Sequence, residues 1–289
     1  MSKLIYAASP RSADMLYATG FHAPDAFLFL EQRGRKTIVL NDLEIDRGRR
    51  EAKVDEVLAA SDLARDFGST SPALIAAGLL LRRKIRRVEV PADFPLGAAR
   101  VLEKAGLRVV PLEGLFWPER ELKDRNELTA IRRATRLAAL GLERAVEVLR
   151  AAKILRSGLL QWQGQPLTSE VVRAEADSTV LRAGGIPEGT IVAGGRQACD
   201  PHERGHGRLR AHELIILDIF PRDARSGYFG DLTRTVVRGR ANEAQRQLWE
   251  TVCAAQRRAI RAIKPRAKGA AVHKAVQEFF VARGYPTER

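Results

Sequence analysis

ELIILDIFPRDARSGYFGDLTRTVVRG, residues 213–239, is the stretch from which the fold is read. Residues 214–217 are a continuous apolar run, followed by Asp218, Ile219 and Phe220. The connection 221–227 holds Pro, Asp, Arg, Ser and Gly, each a turn former for its own reason. The chain resumes with Tyr228, Phe229, Gly230 and Asp231, then Thr233, Thr235, Val236 and Val237, a β-branched run. The pattern predicts two strands joined as a hairpin, each with one aspartate where an apolar residue is expected. A carboxylate in an apolar strand is costly to bury unless it is paired, protonated or bound to a metal. Two on adjacent strands repel unless a cation lies between them. The other reading puts Asp218 and Asp231 at strand ends in salt bridges with Arg222, Arg225 or Arg234, an arrangement that contributes little. Spacing alone leaves both readings open.

Working outward, the segment after the hairpin predicts two helices. Asn242 with Gln245 three residues on has the form of a capping box. Leu248, Trp249, Val252, Cys253, Ile260 and Ile263 then supply a buried stripe until Pro265. A last helix over 270–282 carries Val272, Val276, Phe279 and Phe280, with Gly284 and Pro286 closing it. His273 on that helix reads as a surface histidine.

Before the hairpin, residues 191–212 read as a loop holding His202, His206 and His212, three of the five histidines. Gly205 and Gly207 argue against a helix that would bring His202 and His206 to one side, so His206 and His212 read as exposed loop residues. Thr168 is an N-cap for a helix ending at Gly184-Gly185. Upstream of it, a long amphipathic helix is expected over 121–155, with Leu128, Ile131, Leu137, Leu142, Val146 and Leu149 on one side.

Residues 1–118 form a separate α/β domain in this reading. Runs 26–31 and 36–40 flank a turn in which Gly34 supplies φ > 0. Helical spacing covers 71–84 and 97–105, and short β-type runs lie at 87–90 and 108–110. Strands alternating with helices imply parallel pairings with helical cover. No glycine-rich phosphate loop follows any of these strands. Residues 111–118, PLEGLFWP, break both periods and mark the boundary.

At 289 residues the chain is long enough for two cores, and its 45% hydrophobic and 29% charged residues are those of an ordinary globular protein. Residues 4–8 are too short for a signal sequence, and no run reaches membrane-spanning length, so a cytoplasmic protein without a membrane partner is expected. Cys199 and Cys253 lie far apart with no CxxC, and both are expected to be buried as small apolar residues. The net charge of +14 favours anionic partners on electrostatic grounds. Its clusters at 82–87, 204–210 and 257–268 are separate, mostly Arg and not interleaved with aromatic rings, which reads as a solvated surface rather than a nucleic-acid interface.

The string D-I-F-P…G-Y-F-G-D-L-T-R-T-V-V-R-G resembles the metal-binding hairpin of the pita-bread metallopeptidases, the superfamily of methionine aminopeptidase, aminopeptidase P, prolidase and the non-metal creatinases. Residues 17–21 (YATGF) resemble the N-terminal domain of the aminopeptidase P and prolidase branch. Residues 121–133 (ELKDRNELTAIRR) resemble the helix that opens the catalytic domain, and Pro201-His202 the Pro-His that sets an imidazole against substrate. The implied fold is a creatinase-type α/β domain over 1–118, then an α+β pita-bread domain over 119–289 that is incomplete at its C-terminus. The implied activity is that of an Xaa-Pro aminopeptidase or dipeptidase acting on peptides as a homodimer.

The resemblance assigns Asp218 and Asp231 as the first two metal ligands, thirteen positions apart, slightly more than is usual in the family. It assigns His202 as a hydrogen-bond donor to the substrate carbonyl or oxyanion. Members hold two divalent ions (Mn, Co or Zn) with two Asp, a His and two Glu. The last three follow a point corresponding to Tyr285-Pro286, and His273 and Glu278 precede it. The expectation is therefore weak or absent metal binding and little peptidase activity for these 289 residues alone, as a cut-short enzyme. A non-catalytic module for nucleic acid or protein, or a decayed product without a role, are the alternatives.

Overall fold

The computed structural model describes residues 2–286 and separates into two units, Met1–Lys123 and Asp124–Arg289. The N-terminal unit runs β1 (Ser2–Ala7), α1 (Ala13–Thr19), β2 (Phe27–Gln32), β3 (Arg35–Leu40), α2 (Ile45–Glu51), β4 (Glu56–Ala59), α3 (Ala60–Phe67), α4 (Pro72–Arg82), β5 (Arg87–Pro91), α5 (Leu96–Lys104) and β6 (Arg108–Leu112). The β2–β3 hairpin closes on Gln32↔Arg35, with Arg33 at φ 51° and Gly34 at φ 81°, the double left-handed turn that matches strand twist. The six strands order as β4-β3-β2-β1-β5-β6, parallel in β1/β5, β5/β6 and β3/β4 and antiparallel in β1/β2 and β2/β3. Strand alternation sends Leu4, Leu28, Leu30, Val88 and Val90 to a core under α4 and α5. Ile5, Phe27, Phe29, Ile38 and Leu40 go to a second core with Met15, Phe21 and Trp117 on the other face. Pro111 is accommodated because β6 is an edge strand.

The second unit runs α6 (Arg125–Ala151), β7 (Lys153–Ile154), β8 (Leu160–Trp162), β9 (Gln165–Pro166), α7 (Ser169–Arg182), β10 (Gly185–Ile186), β11 (Ile191–Gly194), β12 (Leu214–Ile219), β13 (Arg222–Asp223), β14 (Leu232–Val237), α8 (Glu243–Ala262) and α9 (Gly269–Val281). The expected long helix is shorter than 121–155. The Asp124 carboxylate accepts from the Glu127 N–H while the Glu127 side chain accepts from the Asp124 N–H, and this capping box starts α6. Its end comes at extended Ala152, after which residues 153–154 pair with 160–161 as a strand. Thr168 caps α7, and Asn242 with Gln245 caps α8 as a full box.

Two expectations fail here. The apolar residues of α8 are not a buried stripe: Trp249, Val252, Ile260 and Ile263 are 46–67% exposed, and only Thr251 and Ala255 are buried, because α8 packs chiefly against α9. Cys199 is exposed, in a 3-10 turn at Gly195–Cys199, and Cys253 is only partly covered. His206, His212 and His273 are exposed. Among the described residues no helix is long and apolar enough to cross a membrane.

The sheet that matters for function orders β11-β12-β14, all antiparallel. Its buried face carries Ile215, Leu217 and Ile219, packed into one core with Val148, Val172, Ala176 and Val180 of α6 and α7. On its other face Ile191 and Ala193 of β11 are buried while the β12 and β14 positions are half-buried to exposed, and that is where both aspartates lie.

Candidate metal centre

Strand alternation places the carboxylates. Asp218 pairs in register with Thr233, while Ile219 pairs with Leu232. Asp231, the residue before β14, therefore stands diagonal to Asp218 on the same face, two positions from Thr233. β12 is buried at every second residue, and Asp218 falls in the half-buried set; Asp231 is exposed. The aspartates thus do not interrupt an apolar core. They sit on the partly exposed face of a sheet whose opposite face is the core.

The Thr233 hydroxyl donates to Oδ1 of Asp218 at 2.6 Å, which orients that carboxylate. Partial burial, then the neighbouring Asp218 charge and side chain, hold the Asp231 carboxyl above the ordinary carboxylate value. The salt-bridge reading of the pair is not met. Arg222 turns to Glu188 at 3.5 Å, Arg234 donates to the Thr233 carbonyl at 2.8 Å, and no ion pair reaches Asp218 or Asp231 among the described residues. Two carboxylates crowded together without a counter-charge are a donor set that suits a divalent cation. They are also short of a complete one: among the described residues no group of three or more His, Cys, Asp and Glu side chains could hold a metal ion.

The connection between the aspartates is not a free hairpin turn. Residues 222–223 form β13 and pair with β10, with a further bridge from Arg222 to Phe229. Asp223 is fully buried and accepts from Arg133 Nε at 3.1 Å, the Ser226 hydroxyl at 2.6 Å and the Ser226 N–H at 3.2 Å. The Tyr228 hydroxyl donates to Glu127 at 2.7 Å. Gly230 donates its N–H to the Pro221 carbonyl and lies so close to α6 that a Cβ there would stand 2.2 Å from the Ala134 carbonyl group. Three contacts thus hold the 221–230 excursion on α6 and fix where Asp231 leads into β14. In the sequence Asp223 reads as a turn former only. The signal available was an Asp two residues after Pro221 with Ser226 following, which is also the signature of an ordinary turn.

His202 is exposed in the loop after the 3-10 turn, and its own N–H donates to Asp200 Oδ1 at 3.1 Å. Two residues on, the Arg204 carbonyl accepts from the Val192 N–H, so this segment runs along the edge of β11 away from β12. Gly205, at φ 78°, passes so near that a Cβ would meet the Val192 carbonyl oxygen at 1.8 Å. No hydrogen bond or ion pair joins His202 to either aspartate among the described residues.

Comparison with known proteins agrees with this architecture. The model of metallopeptidase family M24 matches residues 129–288, more than half of the sequence, and the chain belongs to that family. It is 26% identical over 269 residues to the Xaa-Pro aminopeptidase of Haemophilus influenzae, covering 86% of this chain and 57% of that one. It is 33% identical over 97 residues to the Xaa-Pro dipeptidase of Pyrococcus furiosus, 33% of this chain and 27% of the relative. The chain therefore spans well under two thirds of the length of these relatives. The crystal structure of X-Pro aminopeptidase from Thermotoga maritima superposes with a TM-score of 0.82 at 18% identity, over 98% of this chain and 76% of that one, a likeness of fold.

Proposed function

We propose that this chain carries the first two metal carboxylates, Asp218 and Asp231, of an exopeptidase of the Xaa-Pro aminopeptidase or dipeptidase type. The observation that carries this reading is the crowding of two carboxylates on one partly exposed sheet face with no arginine or lysine between them. A divalent cation (Mn, Co or Zn) held there supplies Lewis acidity toward a peptide carbonyl and a positive charge that activates water. Asp218, with one oxygen occupied by the Thr233 hydroxyl, presents its remaining lone pairs in a fixed direction. Asp231 takes its place from the clamp of 221–230 on α6. His202 is the candidate donor to the substrate carbonyl, an assignment that rests on its Pro-His context.

Two carboxylates are too few for tight, specific binding of ions that prefer about six ligands. They also leave the proton of the attacking water without a general base. The 289 residues by themselves are therefore proposed to bind metal weakly and to hydrolyse peptides little or not at all. The proposed homodimer rests on the likeness of 1–118 to the N-terminal domains of the aminopeptidase P and prolidase branch. The test is release of the N-terminal residue from X-Pro peptides with Mn²⁺ or Co²⁺ present. Robust turnover by the purified 289-residue chain contradicts the proposal as it concerns this chain. The charge of +14 favours one competing reading, a nucleic-acid-binding module. That reading requires salt-dependent affinity for RNA or DNA that Asp218→Ala and Asp231→Ala leave unchanged.

A further inference from the structure

The N-terminal unit holds a cavity of about 280 Å³ where β1 and β5 begin and β2 ends, lined by Gln32, Arg33, Lys84, Arg86, Arg87 and Glu89 among others. Glu89 is only 8% exposed, in the middle of β5. Its neighbour in register is Lys3 on β1, which could neutralise it. The Lys3 ammonium instead lies 3.8 Å above the Trp117 ring and donates to the Phe116 carbonyl at 3.2 Å. Glu89 is thus nine-tenths buried, lines a cavity, and has no hydrogen bond or ion pair among the described residues. Its carboxylate oxygens are not sealed from solvent, so they are open to accept hydrogen bonds from a ligand in the cavity.

The same cavity is ringed by four cations from two chain segments: Arg33 in the β2–β3 turn, and Lys84 and Arg86 between α4 and β5 with Arg87 at the start of β5. All four are exposed, and none forms an ion pair among the described residues. Nearby arginines of the same unit behave differently, Arg82 pairing with Asp66 and Arg83 with Glu56. One unpaired carboxylate on the wall and an excess of unpaired cations at the mouth ask for a ligand of two unlike ends.

We infer that this cavity binds a guanine mononucleotide, the base against Glu89 and the phosphate among Arg33, Lys84, Arg86 and Arg87. A phosphate suits several cations better than a single carboxylate does, because it carries more charge and more acceptor oxygens. Guanine presents two parallel N–H donors that one carboxylate accepts together, whereas adenine sets a ring acceptor beside its amine and would face Glu89 with a lone pair. The volume lies just below the range of about 300–1,000 Å³ usual for ligand pockets, which suits one base with its phosphate left at the open rim. The site belongs wholly to the N-terminal unit and is independent of the peptidase reading.

The experiment is titration calorimetry of the full 289-residue chain with GMP, AMP, inorganic phosphate and an X-Pro dipeptide. Saturable GMP binding is expected, with AMP and phosphate weaker by about tenfold or more, the factor that follows from losing hydrogen bonds to a charged group. Glu89→Gln should lower GMP affinity by about tenfold or more and leave phosphate binding unchanged. Arg86→Ala with Arg87→Ala should weaken GMP, AMP and phosphate alike, and these exposed side chains keep that variant informative should Glu89→Gln disturb the fold. No saturable binding, equal affinity for GMP and AMP, GMP no tighter than phosphate, binding of the dipeptide alone, or GMP affinity untouched by either variant overturns the inference.

Discussion

Thr233 and Asp218 face each other across the β12–β14 ladder, and the threonine hydroxyl donates to the aspartate at 2.6 Å. That bond uses one acceptor site of a carboxylate whose other neighbour is Asp231, a like charge. Partial burial first, and then this neighbouring like charge, hold the Asp231 carboxyl above its ordinary value.

Removing one charge from the pair should stabilise the metal-free protein. Asp231→Asn is expected to raise the melting temperature by about 1–3 °C, since a like-charge cross-strand pair destabilises by a fraction of a kcal/mol. Calorimetry in chelator checks it, and a lowered melting temperature would mean that the aspartates support each other through a shared proton.

Gly230→Ala should act through the steric wall that α6 presents. The added Cβ meets the Ala134 carbonyl group at 2.2 Å, so either β14 or α6 must shift. A loss of about 1–3 kcal/mol is expected, in the range of overpacked sites. Urea unfolding reads the loss, and a loss within ±0.5 kcal/mol would show that the strand entry is loosely held.

Asp223→Ala removes the acceptor of three hydrogen bonds at a fully buried position. The expected cost is about 2–4 kcal/mol, from the stranded Ser226 and Arg133 donors. Limited proteolysis should then cut within 221–230 faster than in the parent protein. Unchanged proteolysis would remove Asp223 from the account of how Asp231 is positioned.

Glu56 gives a pH dependence with a definite sign. Burial raises its pKa, but hydrogen bonds from Arg83 and Thr37 and the charges of Arg83 and Arg35 outweigh burial, so the carboxyl ionises below its ordinary value of 4.5. A lowered folded-state pKa contributes stability that is present above the unfolded value and lost as pH falls through the folded one. The stability difference between the parent and Glu56→Gln should therefore be constant above about pH 5 and shrink on acidification toward about pH 3. Urea midpoints measured across that window test it, and a difference that grows on acidification would contradict the assignment.

Local chemistry was the legible part. Asn242 with Gln245, Thr168, and Gly34 in its turn act within a few residues of themselves, so their patterns in sequence are their roles in structure. Asp218 and Asp231 stood out because period-2 spacing and apolar neighbours made each carboxylate an exception. What could not be read depends on partners far away in the chain. Asp223 resembles any turn aspartate until Arg133 is brought to it from ninety positions upstream. The stripe on α8 announces an amphipathic helix without saying what covers it, and Trp249 and Ile263 are exposed. Glu89 reads as one polar residue in a β-run, and only the departure of Lys3 toward Trp117 leaves it unpaired.

The most direct test of the central claim is Mn²⁺ titration of the isotope-labelled 289-residue chain, followed by paramagnetic broadening of backbone amide resonances. Broadening survives weak binding, so it does not depend on a complete ligand set. With the ion held between the two aspartates, the first resonances lost are those of Asp218, Asp231 and Thr233, and Asp218→Asn or Asp231→Asn abolishes the effect. Broadening centred elsewhere, or unchanged in both variants, would mean that the two aspartates are not a metal site.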